Sequence, residues 1–320
     1  MTRLELKESQ GLLTSSPTVA KRATLNPQPS TLNPLHAFTL VEILVVVVLL
    51  SLIILALMMV FTTTQNAFRA SLTQTDVLEG GRSAMGLIKG DLELMTPSFG
   101  VSNGAVNFST AVVATGTNTP LVQFLTGSSH LRNNVLESFF ILTRQNLTWT
   151  GVGYVVDTAS QNYFNPLYRF SASLNVSVPD APTALYSNFL ANTVLPISPT
   201  NSSMSHLMDG VVDLRVRAYD PKGFWMTNVY EFYNGQDINN RNVSFSAPSW
   251  GEVGFYMFSN TLPATVEINL GVLEDHAIQR AESLAGNSAA QTAYLKDRAG
   301  QVHVFRQRVS IRNVDPSAYQ

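Results

Sequence analysis

Three groups of residues have types and spacings that could do chemistry. His206 and Asp209 form a His/carboxylate pair that could move a proton or hold a metal ion. Asp209, Asp213 and Asp220 are hard oxygen ligands of the kind that suit calcium. Glu42 is a lone carboxylate near the start of a long apolar run. The first two groups argue poorly for catalysis. A His and an Asp one helical turn apart more often fasten a loop, and His36, His130, His276 and His303 are scattered. The three aspartates do not follow the EF-hand spacing, and Asp213 falls in an alternating segment, so they read as solvated strand-face and turn carboxylates. There is no Gly-x-Ser-x-Gly elbow, no phosphate loop and no His-Glu-x-x-His. With no cysteine in 320 residues, disulfides, thiolate catalysis and Cys-type zinc sites are excluded. A non-enzymatic protein without metal or cofactor is the expectation.

Glu42 is more informative. From Phe38 to Phe61 the chain reads FTLVEILVVVVLLSLIILALMMVF, with Glu42 its only charge. Roughly 24 residues at about 1.5 Å each span a bilayer with some tilt. A carboxylate in such a helix costs about 2.5–3.5 kcal/mol at its middle and less near its end, so it needs a partner. A cut before Phe38 would make one, because the new α-amino group would lie one helical turn from Glu42 and could neutralise it, within a subunit or between neighbours. Arg3, Lys7, Lys21 and Arg22 precede the run against Glu5 and Glu8, and the nearest charge after it is Arg69, which predicts the leader inside and the remainder outside. A secretory signal peptide would be shorter and end in a small-residue cleavage site, whereas Thr62-Thr63-Thr64-Gln65 follows here.

The segment Ala37-Phe38-Thr39-Leu40-Val41-Glu42 resembles the cleavage and methylation motif of type IV prepilins, in which a prepilin peptidase cuts before Phe and methylates the new amine. Phe, Thr-Leu and Glu sit where that family has them. Ala37 stands where the family has Gly, and the leader is long for the family. The resemblance implies cleavage between Ala37 and Phe38, N-methylation of Phe38, and Glu42 as the membrane carboxylate used in assembly. It also implies prepilin peptidase, other pilin-like subunits and inner-membrane lipid as partners.

These residues need elements to position them. Residues 1–37 read as leader, 38–61 as the transmembrane and assembly helix, 62–96 as its amphipathic extension and 97–320 as a β-rich domain. Phe68, Leu72, Met85, Ile88, Leu92 and Met95 recur at helical spacing and predict a stripe packed on that domain, loosened at Gly80-Gly81, which reads as a hinge or a place of close approach, and closed at Pro97. Alternation predicts strands at Val212–Ala218 and Thr265–Val272, with others at Leu121–Leu125, Ser138–Thr143, Val152–Val156, Leu167–Phe170, Gly254–Phe258 and Val302–Ile311. Within the last, His303 is expected to face solvent. The proline-bearing Val178–Thr200 reads as a loop or an insertion lying over a sheet, and Asp275–Ala285 as a short helix. The expected fold is α+β, one long N-terminal helix, transmembrane in its first half, packed on antiparallel β-sheet.

Further stretches resemble the J-type minor pseudopilins of type II secretion. They are the helix ending Lys89-Gly90-Asp91-Leu92, then Tyr154-Val155-Val156-Asp157 with Leu167-Tyr168-Arg169, then Leu207–Leu214 leading to Tyr219-Asp220 and Gly223-Phe224-Trp225. Leu262–Glu267 and Phe305-Arg306-Gln307-Arg308-Val309 complete the series. The ending Arg312–Pro316 is similar to prepilin-like cassette proteins of Verrucomicrobia. A pseudopilin-like domain in a subunit at or near the tip of a secretion pseudopilus or type IV pilus-like filament is what the resemblance implies. The competing expectation is a membrane-anchored, non-polymerising periplasmic domain that binds polysaccharide through Trp149, Trp225 or Trp250. With net charge −2 and 13% charged residues, a nucleic-acid partner is not expected.

Overall fold

The computed structural model describes residues 39–98, 101–102, 105–106, 108–114, 122–125, 127, 129–160, 163–227, 243–245 and 251–316. Ala37, Phe38, the leader and Trp250 lie outside them. Contacts divide the chain into a first unit ending at Phe61 and a second beginning at Thr62.

The first unit consists of the opening turns of α1 (Leu40–Glu93). Leu, Ile, Val and Met propagate a helix here because its hydrogen bonds close within the segment, whatever surrounds it. Every large apolar side chain from Leu40 to Phe61 is 48–80% exposed among the described residues. It is the one helix among the described residues long and apolar enough to cross a membrane.

The second unit is α+β, and its sheets are antiparallel. Around the last turns of α1 come β1 (Val101–Ser102), β2 (Ala105–Val106), β3 (Phe108–Ala114), β4 (Val122–Phe124), β5 (Leu131–Asn133), β6 (Glu137–Gln145), β7 (Thr148–Val156) and β8 (Leu167–Asn175). Then follow α2 (Ala181–Asn192), β9 (Met204–Met208), β10 (Val211–Tyr219), β11 (Val243–Phe245), β12 (Phe255–Phe258), β13 (Thr265–Leu273), α3 (Asp275–Ser283), α4 (Ser288–Lys296) and β14 (Val302–Ser310). The larger sheet has the order β11-β12-β3-β6-β7-β8-β9, and the smaller β10-β13-β14; β1 pairs β2, and β4 pairs β5.

Strand β6 explains how the large sheet is buried. Phe139 and Ile141 point into the core shared with α1 and the small sheet, while Phe140 and Leu142 point to the opposite face. That opposite face is covered by α2 through Leu185, Tyr186 and Phe189. A strand covered on both sides reads as a continuous apolar run, as Phe139-Phe140-Ile141-Leu142 does. Gly153 has no Cβ because the Phe189 ring occupies its place, at 2.3 Å from where one would sit.

Several sequence expectations need correction. Helix α1 runs unbroken through Gly80-Gly81 and ends at Glu93, with Leu94 and Met95 closing it by short hydrogen bonds, so there is no hinge and Pro97 lies beyond the end. Gly81 is instead a point of close approach, since a Cβ there would lie 2.2 Å from the Phe305 ring of β14. The packed stripe starts at Val77 and continues through Met85, Ile88 and Leu92, whereas Phe68 and Leu72 are exposed because the core does not extend to those turns. Val178–Thr200 is an insertion over a sheet, but one built on a helix: Pro182 sits in the first turn of α2, where its missing N–H costs nothing. Strand β9 and helix α4 were not expected.

The two sheets meet along β6 and β10. Leu214 N–H donates to the Val135 carbonyl at 2.8 Å, Val135 N–H donates to Asp213 at 2.9 Å, and Val216 N–H donates to Glu137 at 2.5 Å. Glu137 is buried, and its second carboxyl oxygen has no partner. Burial pushes its pKa up to about 8, with Glu252 adding to the rise and the Val216 bond, Arg215 and Arg217 opposing it. The folded protein thus keeps Glu137 neutral where the unfolded chain ionises it, from its ordinary value of 4.5. Its contribution is fully present below that value and is lost as pH rises through the folded value. Urea melts between about pH 5 and 8.5 should show wild type losing on the order of a few kcal/mol relative to Glu137→Gln. Parallel curves would count against a neutral Glu137.

Candidate functional site

At the N-terminus, Thr39 and Glu42 face one another across the first turn of α1. Glu42 accepts hydrogen bonds from Thr39 N–H at 3.0 Å and Thr39 Oγ1 at 3.1 Å, and Glu42 N–H donates to Thr39 Oγ1 at 3.3 Å. This reciprocal pair is the capping box Thr-x-x-Glu, which satisfies orphan donors at a helix start. The motif was readable in Thr39-Leu40-Val41-Glu42, and weighing Glu42 only against a membrane missed it. Glu42 therefore has a local partner in the single chain, before any cut or assembly.

The polar residues where α1 meets the β-domain, and those of its small sheet, gather into clamps. Asp91, near the end of α1, is gripped by Arg169 of β8 through two bonds, Nε to Oδ2 at 2.8 Å and Nη2 to Oδ1 at 3.0 Å. The Tyr154 hydroxyl of β7 donates to the same carboxylate. Burial and the bond to Asp91 push the Tyr154 pKa well above its ordinary value, so it remains a donor, and Asp91 in turn raises that of Arg169.

Asp213 on β10 and Asp220 just after it are both buried, which corrects the expectation that they are solvated. Asp213 accepts from Val135 N–H, Arg215 and Arg132. Asp220 accepts from Phe224 N–H at 2.7 Å and so shapes the turn before Trp225. Glu252 is held by Arg215 and Arg217, and Arg217 lies over the Trp225 ring at 4.8 Å. Glu267 of β13 is held by Arg306 and Arg308 of β14, its cross-strand neighbours in the register. Burial opposes ionisation of Glu267, but these two arginines hold its pKa below the usual carboxylate range.

His206 and Asp209 do meet, Nε2 to Oδ1 at 2.8 Å, with the His206 ring stacked on Tyr163. The pair fastens the β9–β10 turn, with no serine, threonine or cysteine among the groups recorded against it. His303 does not face open solvent; it is partly buried and bonds Glu274 at 3.0 Å. Among the described residues no group of His, Cys, Asp and Glu is arranged to hold a metal ion. Trp149 is buried in the β6–β7 hairpin. A cavity of about 640 Å³ opens beside α3 and α4, lined by Thr158, Ser160, Tyr163, Asn165, Glu282 and Gln291 among others.

Compared with protein-family models, curated proteins and solved structures, the chain matches none. Its function therefore has to be argued from these residues.

The Asp91 clamp is testable by unfolding. Asp91→Ala leaves Arg169 and Tyr154 unpaired where helix meets sheet, and should cost about 2–4 kcal/mol. Arg169→Lys, which keeps the charge but not the two-pronged grip, should recover only part of it in the same denaturant melts.

Proposed function

We propose that this protein is a minor pseudopilin-like structural subunit, processed by a prepilin peptidase between Ala37 and Phe38 and assembled at or near the tip of a type II secretion pseudopilus or type IV pilus-like filament. The observation that carries the reading is the Leu40–Phe61 surface: a full turn-by-turn apolar exterior, exposed among the described residues, opening on the carboxylate of Glu42. Water cannot solvate that surface cheaply, so lipid must cover it first and neighbouring helices later. The subunit would sit in the bacterial inner membrane as a single-pass protein, leader cytoplasmic and β-domain periplasmic. Burial of the last turns of α1 in the β-domain supports the reading as well, since force on one is borne by the other through the Asp91 clamp.

Because Thr39 already satisfies Glu42 in the single chain, the role of Glu42 in assembly is its charge, drawn to the methylated amine of Phe38 on a neighbouring subunit. Mass spectrometry of the mature protein after co-expression with prepilin peptidase should find N-methyl-Phe38 as the first residue; an uncut precursor would sink the proposal. Glu42→Gln keeps the capping box and removes the charge. Both Glu42→Gln and Glu42→Ala should insert in the membrane and lose filament assembly. Wild-type assembly by the Gln variant would reduce Glu42 to a helix start.

One observation favours a second reading, a membrane-anchored periplasmic domain that binds polysaccharide and does not polymerise. Tyr163, 45% exposed, stands at the polar-lined cavity beside α3 and α4 as a sugar-stacking ring would. Glycan binding abolished by Tyr163→Ala, in a chain that forms no filament, would select this reading.

A further inference from the structure

The small sheet ends on two edges, and the chain treats them differently. The β10 edge is sealed: Leu214 N–H donates to Val135, Val216 N–H donates to Glu137, and Met226 N–H donates to the Ala218 carbonyl at 2.9 Å. The β14 edge is open, since among the described residues β14 pairs with β13 alone. Its nine residues run opposite β13 without a shift of register, and none of them is proline. Short strands, bulges and prolines are the usual ways of blunting an edge, and β14 uses none of them. The bonds at its two ends fix which way its backbone points. Glu274 N–H donates to the Gln301 carbonyl at 3.1 Å and Ile311 N–H to the Ala264 carbonyl at 3.0 Å, so the odd-numbered residues face β13. The N–H and C=O groups of Val302, Val304, Arg306, Arg308 and Ser310 therefore point outward. Val304, Arg306, Arg308 and Ser310 are also exposed, whereas Phe305 and Val309 turn toward the core.

Two arginines line this edge above one carboxylate. Glu267, opposite Arg308 in the ladder, takes Arg306 through Nε at 2.9 Å and Nη2 at 2.7 Å, and Arg308 through Nε. Arg308 Nη2 donates to the Tyr219 hydroxyl at 3.2 Å. A guanidinium carries N–H donors on all three nitrogens, so among the described residues both Nη1 groups remain unspent. Two guanidiniums over one carboxylate also leave one positive charge in excess. Their side chains are 59% and 57% exposed.

We infer that the outer edge of β14 receives an extended acidic segment of another protein as an added strand. The backbone of that segment bonds the outward N–H and C=O groups. A carboxylate sits against Arg306 and Arg308, as Glu267 does on the other side, and an apolar side chain two residues along covers Val304, which is 51% exposed. The arginines also name what the edge rejects. Two β14 edges laid antiparallel about residues 306–308 put arginine opposite arginine, and like charges in register repel, so a second copy of this strand is disfavoured. The inference goes beyond the proposed function and stands however the N-terminus is processed.

The test uses the full chain in detergent micelles, with hydrogen exchange read at single amides by mass spectrometry. The probe is a synthetic peptide of the Thr265–Leu273 sequence, the strand that β14 already accepts, alongside its Glu267→Gln form. In the chain alone the Val304, Arg306 and Arg308 amides should exchange faster than those of Phe305 and Gln307. The acidic peptide should slow them, and at about 50 mM salt should bind roughly fivefold tighter than the Gln form, a margin that shrinks near 0.5 M. Val304→Pro removes one outward N–H and no ladder bond, so it should abolish the peptide's effect with the thermal melt unchanged. Arg306→Gln, which leaves Arg308 on Glu267, should bind the two peptides alike. Outward amides already slow before any peptide is added would mean that this chain covers its own edge, and would overturn the inference. So would protection that grows with protein concentration, which makes a second copy the occupant, or a wild type that binds neither peptide or both equally.

Discussion

Asp91 sets a demand that the rest of the β-domain meets. A carboxylate drawn out of water where a helix packs on a sheet is tolerated only if cations and donors surround it. Arg169 supplies both prongs of a guanidinium and Tyr154 a hydroxyl, from adjacent strands β8 and β7. Tyr154 also stacks on Phe139 of β6. One carboxylate on α1 thereby ties the helix to two adjacent strands and, through Tyr154, to β6, beside the core formed by Val77, Met85, Ile88 and Leu92.

The same device recurs at Asp213, Glu252 and Glu267, always with the carboxylate inside and arginine at the rim. Such pairs add little net stability, but each is costly to break, and they discriminate strongly against a slipped register. Their carboxylates are saturated with donors, which leaves none free to act as a base. Asp213, one of the aspartates weighed as a calcium ligand, is thus a fastener between β10 and the segment before β6.

The N-terminal segment obeys a different economy. Its helix needs no tertiary contact to form, and its one charge is capped by Thr39 three residues before it. What it lacks is a cover for its side chains. Among the described residues its large apolar side chains from Leu40 to Phe61 are exposed, and burial of α1 begins at Val77.

The alternation in β10 and β13 and the apolar runs of β6 and β7 were legible in sequence because side-chain period reports directly on which faces are covered. So was the long helix, though not its straight passage through Gly80-Gly81. Strand β9 is short and does not alternate, and α2 is hidden among prolines, so neither has a period that stands out locally. The sequence by itself determined that an apolar helix carrying one carboxylate follows Phe38, since helix formation and hydrophobicity are local properties. It also contained the capping box, at a fixed spacing of three. Only the tertiary structure decided that Asp91, Tyr154 and Arg169 are one clamp, that Asp213 is buried, and that Arg306 and Arg308 share one carboxylate. Those facts depend on which strands become neighbours, and strand pairing joins residues far apart in the chain with no periodic mark to announce it.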